Sequence, residues 1–203
     1  TLTIGHPKTG ILTEPATNHV GAISLIALDA LDEVETTNNQ SPTTIHQLIS
    51  PHTLTRKRRP FDFHKGQAGR LGIWAGSEGM LGAAALTANA ALQAGAGLIT
   101  LFTPPTLYPA LVSILPPEIM VKLTINPNEL LENNFDALII GPGLGTPVES
   151  ILTKLFQVIA DSEIPTILDA DILNQIAKHN QHHILKQNHI LTPHPGEMAR
   201  LDP

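Results

Sequence analysis

Residues 137–145, ALIIGPGLG, decide the fold, because an apolar run ends there in a glycine-rich loop. An uninterrupted apolar run is typical of a strand that is buried on both faces, as in the parallel sheets of α/β proteins. Similar runs alternate with helix-like segments from about Arg70 onward. The predicted strands are 71–75, 98–102, 119–123, 137–140, 166–168 and 189–192, and the predicted helices are 79–93, 106–114, 148–160, 172–178 and 196–201. This alternation predicts an α/β fold with a mostly parallel sheet.

The composition excludes several classes of protein. Hydrophobic residues make up 42% of the 203 residues and charged residues 15%, which is too apolar for an intrinsically disordered chain. A net charge of −6 argues against a protein that mainly binds nucleic acid. The lack of cysteine excludes a disulfide scaffold and a thiol nucleophile, and it fits a cytoplasmic location. No apolar run approaches the length of about 18 residues that a membrane span needs, so a membrane is not an expected partner.

The first 62 residues lack the regular alternation. Residues 1–30 hold two short strand-like runs, 1–4 and 23–26, which are too few to bury a core, so we predict that they are the remnant of another domain. Residues 31–62 are rich in Thr, Asn, Ser and Pro and are predicted to be a linker. The α/β domain would then occupy residues 63–203.

Ligands bind beyond the carboxyl ends of the strands in such a sheet, so the loops at these ends are the candidates for chemistry. The first is segment 76–82, GSEGMLG, which leads into a helix rich in alanine. Its backbone N–H groups favour an anion, but it lacks the Lys-Ser/Thr pair of a phosphate-binding P-loop. The alanines indicate either close packing of the helix on the sheet or a ligand along the start of the helix, where a larger side chain would clash.

Two later loops follow the fourth and fifth predicted strands. The glycines of 141–145 indicate a backbone that approaches a ligand, with a plain tight turn as the alternative. Asp169 and Asp171 follow the fifth strand, with Asn174 shortly after. Carboxylates in this position can hold a cation or a hydroxyl group, whereas Asp171 is also a good candidate for the N-cap of the next helix.

The loop after the last strand contains the strongest candidate. His194 lies between Pro193 and Pro195, which restrict its backbone, and histidine can donate to or accept from a substrate near neutral pH. Glu197 is predicted to lie in the first turn of a helix, where a negative charge is stabilised. This loop is too polar and too rigid for an ordinary connection, so we predict a functional role for it.

Other polar features are interpreted as surface. His182 and His183 lack a partner at metal-binding spacing and the ten histidines are scattered, so no metal site is predicted. The basic run 56–59 lies in the predicted linker and is interpreted as a solvated loop.

Taken together and in order, these segments resemble one family, the ADP- or ATP-dependent NAD(P)H-hydrate dehydratases. The matching segments are His64-Lys65-Gly66, Ala75-Gly76-Ser77, Gly82-Ala83-Ala84, 94–98, 141–145, 168–171 and 191–201. The resemblance implies a ribokinase-like three-layer αβα sandwich. Residues 1–30 in turn resemble the end of an NAD(P)H-hydrate epimerase domain, which many bacteria fuse ahead of the dehydratase.

The resemblance also implies an activity, cofactors and substrate contacts. Hydrated NADH or NADPH would be phosphorylated on its ring hydroxyl group, and loss of phosphate would restore the nicotinamide. The donor would be ADP, because the His-Pro-Gly-Glu form at 194–197 is similar to that of the bacterial branch of the family. The family resemblance also implies Mg²⁺ as a cofactor. The residues implied to contact this small-molecule substrate are Ala83, Gly143, His194, Pro195, Gly196, Glu197, Met198, Ala199 and Arg200.

One departure from the family pattern concerns catalysis. The family's general base is an Asp in a Gly-Gly-x-Gly-Asp segment, which does not occur among the 203 residues. We therefore expect a C-terminally truncated dehydratase domain with no catalytic residue in this segment, which binds weakly or not at all and does not turn over by itself. The full-length enzyme is expected to be a homo-oligomer. Two alternatives stay open: a ribokinase-fold kinase of a small alcohol, and a non-catalytic nucleotide-binding module.

Overall fold

The computed structural model describes residues 60–202 in full. Before them, it describes only the backbone of two short strands, β1 (Leu2–Ile4) and β2 (Ser24–Ile26), which pair in parallel. Both strands lie within the strand-like runs of the sequence.

The chain divides into two compact units, Thr1–Arg59 and Pro60–Pro203. The predicted domain remnant 1–30, apart from β1 and β2, lies outside the described residues, and so do most of the predicted linker 31–62 and the basic run 56–59. The predicted domain boundaries therefore stay predictions.

The second unit is built on a sheet of six strands that are all parallel. The strands are β3 (Arg70–Trp74), β4 (Leu98–Thr103), β5 (Ile119–Leu123), β6 (Ala137–Ile140), β7 (Thr166–Leu168) and β8 (His189–Leu191). Their order in the sheet is β5-β4-β3-β6-β7-β8. Each strand corresponds to a predicted one, and the α/β fold is confirmed.

Six α-helices connect or follow these strands. They are α1 (Leu81–Ala94), α2 (Tyr108–Ile114), α3 (Glu129–Glu132), α4 (Glu149–Asp161), α5 (Asp171–Lys178) and α6 (Pro195–Leu201). Helix α1 ends as predicted at Gly95, whose φ of 96° is left-handed. The single turn α3 was not predicted. No helix in the described part of the chain is long and apolar enough to cross a membrane.

Helices pack on both faces of the sheet, and successive strand residues contribute to the two faces in turn. One core lies against α1 and α2 and contains Ile73, Ala84, Ala88, Leu101 and Leu111. The other lies against α4 and α5 and contains Trp74, Phe102, Leu138, Leu155 and Ile172. Ile73 and Trp74 are neighbours in β3, so the sheet is the middle of three layers, as the resemblance implied. Each fully buried Leu or Ile side chain contributes about 1.5–3 kcal/mol to stability.

His189, the first residue of β8, lies in surroundings that disfavour its charged form. Its Nδ1 accepts a hydrogen bond from the backbone N–H of Lys186 at 3.1 Å. Its Nε2 is buried and has no hydrogen-bond partner among residues 60–202. Burial lowers the pKa of His189 and the nearby Lys186 ammonium lowers it further, while the Glu163 carboxylate acts in the opposite direction. Protonation of His189 would therefore place an unfavourable charge beside the amino end of the sheet.

We predict that the folded chain loses stability as the pH falls below 6.5, the usual pKa of histidine. In this range the unfolded chain binds a proton that His189 binds less readily in the folded state. The variant His189→Asn, whose Oδ1 can still accept from Lys186, should show a weaker dependence. Urea unfolding at pH values from about 5 to about 8 measures the effect.

The matched control for this measurement is His183→Asn, which removes an exposed histidine. Its free energy of unfolding should depend on pH as strongly as that of the parent chain. If the His189→Asn variant also kept the parent's pH dependence, the half-buried His189 would not be its source.

Candidate functional site

The order of the strands creates a crevice between β3 and β6. From β3 the chain continues through β4 to the edge strand β5, and it then resumes on the other side of β3 with β6. The loop after β3 meets the glycine loop, residues 141–145, which follows β6. The N–H of Gly76 donates to the carbonyl of Pro142 at 2.8 Å, and the N–H of Gly141 donates to that of Trp74 at 3.1 Å. In open α/β sheets, ligands bind at such a switch point.

Two glycines of the glycine loop pack so closely on their neighbours that a side chain would not fit at either position. A Cβ atom at Gly143 would lie 2.6 Å from the Cβ of Ala83 and 2.9 Å from the carbonyl oxygen of Met80. A Cβ atom at Gly141 would overlap the carbonyl oxygen of Asp169. Both glycines have a positive φ, 61° and 123°. Close contact with neighbouring backbone thus explains the glycines, and the substrate contact of Ala83 and Gly143 stays a prediction.

Asp171 does not cap α5, in contrast to the expectation. Ala170 occupies the N-cap position, and Asp171 is the first residue of the helix. The Oδ2 of Asp171 accepts a hydrogen bond from the backbone N–H of Gly145 at 2.8 Å. The buried side chain of Gln175 donates through Nε2 to the carbonyl oxygen of Gly145 at 3.4 Å. The glycine loop is therefore held by both backbone polar groups of its last residue.

Gln175 is a residue of this site that the sequence analysis missed. The one signal for it is its spacing of four residues from Asp171, which places the two side chains on the same face of α5. That spacing is common to many helices, and it does not reveal the contact with the distant glycine loop.

Asp169 connects the ends of two neighbouring strands. Its Oδ1 accepts a hydrogen bond from the Oγ1 of Thr192 at 2.7 Å. The backbone N–H of Thr192 also donates to the carbonyl oxygen of Leu168 at 3.2 Å. The segment that leads to His194 is thus fixed to the carboxyl end of β7.

Helix α6 begins with a reciprocal cap that includes the predicted histidine. The Nδ1 of His194 accepts from the backbone N–H of Gly196 at 3.0 Å, and the Oε2 of Glu197 accepts from the backbone N–H of His194 at 3.0 Å. Because Nδ1 accepts, a neutral ring carries its proton on Nε2, which lies 3.2 Å from Oε1 of Glu197. The Glu197 side chain is only 7% exposed, so in this structure it holds the turn.

Arg200 is the cation of this region that is suited to bind an anion. Its Nη1 donates to the Oδ1 of Asn174 in α5 at 2.8 Å, while the residue stays exposed. Since the amide of Asn174 is neutral, this contact does not offset the charge of the guanidinium. The other predicted contacts Pro195, Met198 and Ala199 are also exposed on α6.

A groove of about 430 Å³ lies between α1 and the ends of β6, β7 and β8. Its lining includes Ala90, Ala91, Ala94, Pro142, Asp169 and Thr192. At Pro142 the groove touches the glycine loop, and Thr192 lies two residues before His194. The groove therefore connects the two segments that are predicted to contact the substrate.

The alanines of α1 fall into two groups. Ala84 and Ala88 are fully buried against the sheet, which confirms close packing for this part of the helix. Ala90 and Ala94 are exposed and line the groove, where the presence of a ligand stays a prediction.

Within residues 60–202, no three histidine or carboxylate side chains lie close enough together to hold a metal ion. His182 and His183 are exposed, in the surface positions predicted for them.

A wholly parallel sheet between two helical layers, with a crevice at its switch point, defines a doubly wound α/β protein, and its neighbours among solved structures are ribokinase-like. Among solved structures, a ribokinase-like superfamily protein from Enterococcus faecalis matches with a TM-score of 0.60 and 27% identity, over 71% of this chain and 51% of that chain. An ADP/ATP-dependent NAD(P)H-hydrate dehydratase from Bacillus subtilis, co-crystallised with ATP and Mg²⁺, matches with a TM-score of 0.60 and 30% identity, over 73% of this chain and 52% of that chain.

Residues 71–203 match the model of the NAD(P)H-hydrate dehydratase family, and the chain belongs to that family. The bifunctional NAD(P)H-hydrate repair enzyme of Moorella thermoacetica is 33% identical, over 99% of this chain and 40% of its own length. The ADP-dependent (S)-NAD(P)H-hydrate dehydratase of Neisseria meningitidis is 37% identical, over 74% and 51%. The chain thus spans about 40% of the length of the bifunctional relatives that it matches.

We predict that Gly141→Ala is among the most destabilising substitutions in the glycine loop. The added Cβ meets the carbonyl oxygen of Asp169, which is backbone and cannot rotate away. The cost should exceed that of Gly79→Ala by about 2 kcal/mol or more in urea unfolding.

Gly79→Ala is the matched control, because Gly79 also has a positive φ, 81°, but nothing lies within 4 Å of its added Cβ. It should cost only the strain of a left-handed alanine, about 1–2 kcal/mol. Equal losses for the two variants would mean that backbone strain, and not close approach, explains the glycine at 141.

We also predict that Glu197→Ala destabilises the start of α6 by about 1 kcal/mol, because the backbone N–H of His194 loses its acceptor. Glu197→Gln keeps a side-chain oxygen in place and should retain most of this stability. Amide hydrogen exchange of His194, together with thermal unfolding, measures the difference. Equal exchange rates in both variants would contradict the role of the cap.

Proposed function

We propose that this protein repairs hydrated NADH and NADPH by ADP-dependent dehydration. The oxygen of the ring hydroxyl group bonds to the terminal phosphorus of ADP and loses its proton to solvent, while the bond to the bridging oxygen breaks and AMP leaves. Loss of that phosphate and of a proton from the adjacent ring carbon then restores the nicotinamide double bond. In this proposal, residues 60–202 supply the surface that binds the hydrated nucleotide.

The groove beside α1 is the observation that carries the proposal. It connects the glycine loop to the segment that ends in His194, which are the two regions implied to contact the substrate. Its alanines leave room for a flat ring, and the exposed guanidinium of Arg200 offers a positive charge for the phosphates of the nucleotide. The names of relatives in the family, several of which are NAD(P)H-hydrate dehydratases, support the same substrate.

Between residues 60 and 202, no three histidine or carboxylate side chains form a cluster that could hold a metal ion by itself. We therefore assign no step of the reaction to a metal in this part of the chain, and we assign no general base to it. ADP as the donor is supported by the His-Pro-Gly-Glu form of 194–197 and by the relative from Neisseria meningitidis that is named ADP-dependent. A cytoplasmic homo-oligomer remains part of the proposal.

The decisive experiment incubates the complete product of the gene with hydrated NADH, ADP and Mg²⁺. Return of NADH absorbance is the expected result. Phosphorylation of a small alcohol without any return of NADH would favour the kinase alternative. Nucleotide binding without turnover would favour the non-catalytic module.

In the complete product of the gene, Arg200→Ala should weaken the binding of hydrated NADH about tenfold, as expected for the loss of a charged contact to phosphate. Isothermal titration calorimetry measures the affinity. Arg70→Ala is the matched control, because Arg70 is an exposed arginine at the opposite, amino end of β3. If both variants bound the hydrate as the parent chain does, Arg200 would not contact the substrate.

A further inference from the structure

We infer that one face of α5 positions the two halves of the substrate site relative to each other, an inference that rests on the proposed function. The face consists of Asp171, Asn174 and Gln175, which lie three and four residues apart and therefore share one side of the helix. Asp171 and Gln175 bind the glycine loop, and Asn174 binds Arg200 of α6. These three side chains are positioning residues.

The contact with the glycine loop is made at its last residue. Asp171 accepts from the N–H of Gly145 at 2.8 Å, and Gln175 donates to the carbonyl oxygen of Gly145 at 3.4 Å. A hydrogen bond to an ionised carboxylate is stronger than one between neutral groups, so Asp171 contributes more to this hold. Gln175 is 6% exposed, which limits the positions that its amide can take.

The first residue of the loop is fixed against the same element. A Cβ atom at Gly141 would lie 2.6 Å from the Cγ2 of Ile172, the second residue of α5. The loop is thus held at Gly141 and at Gly145, and Gly143 lies between these points, against Ala83 of α1. A loop fixed at both ends places its middle residue accurately, so α5 determines where Gly143 lies relative to α1.

Asn174 makes the second connection. Its Oδ1 accepts from the Nη1 of Arg200 at 2.8 Å, and both residues belong to helices that pack on each other. Arg200 is exposed and its side chain has many rotamers. A fixed partner restricts these rotamers, so the side chain loses less conformational entropy when an anion binds. Through one rigid turn of helix, the position of Arg200 is therefore linked to that of Gly143.

The test compares Asp171→Ala, which removes the acceptor for Gly145, with Asp171→Asn, which keeps one. In ¹H–¹⁵N NMR spectra of the ligand-free chain, Asp171→Ala should shift the amide signals of Gly143 and Ala83, and Asp171→Asn should leave them near their original positions. In titrations with hydrated NADH, Asp171→Ala should bind about tenfold more weakly, because binding must then order the glycine loop that Asp171 no longer holds. Asp171→Asn should restore most of the affinity.

Asp161→Ala is the matched control, because it removes an exposed carboxylate from the end of another helix, α4. It should change neither the Gly143 and Ala83 signals nor the affinity. Asn174→Ala should shift the Nε–Hε signal of Arg200 and weaken binding to a similar degree, without displacing the glycine loop.

Two results would overturn the inference. One is an unchanged Gly143 signal in the Asp171→Ala variant, and the other is an affinity that equals the parent's in both the Asp171→Ala and Asn174→Ala variants. If the parent chain does not bind hydrated NADH at all, the proposed function fails, and the ligand-free spectra still decide whether α5 positions the loop.

Discussion

The close approach of backbone segments at the switch point is the constraint on which the rest of the structure depends. In this sheet β6 lies between β3 and β7. Because the three strands are parallel, the loops that follow them leave the same edge of the sheet and must share one small space. Gly76 and Gly141 make this possible, because a Cβ at either position would meet Ala84 or the Asp169 backbone. Without these glycines, α1 and α5 could not both pack against the sheet at their observed positions.

The same constraint explains the alanines in the first half of α1 but not those near its end. Near its start, Ala84 faces Gly76 and is fully buried, so a larger side chain would push the helix from the sheet. Near its end, Ala90 and Ala94 are exposed, and packing does not require their small size. These later alanines leave the groove open along α1, and the proposed nucleotide would need this space. Packing and binding thus favour the same residue for different reasons.

The sequence predicts the fold well because its strong signals are local. Strands 119–123, 137–140 and 166–168 form at their predicted bounds, since each is a short apolar run between polar or turn residues. The single turn α3 escapes prediction because four residues are too few to show a helical period. Asp171 was interpreted from local preference as a cap, but a contact with Gly145, 26 residues away, decides its role. Gln175 and Asn174 were missed as contacts for the same reason, since their partners are distant in sequence.

The carboxylates at the ends of β7 and β8 already have partners in this structure, and this limits the chemistry that they can perform. Asp169 accepts from Thr192, Asp171 from Gly145, and Glu197 from the backbone of His194. A proton taken up by any of them would weaken a hydrogen bond that holds a loop in place, and such a bond to a charged acceptor contributes about 1.5–3 kcal/mol. Exposed groups such as the guanidinium of Arg200 carry no such cost. The arrangement therefore favours binding and orientation of an anionic ligand over proton transfer within residues 60–202.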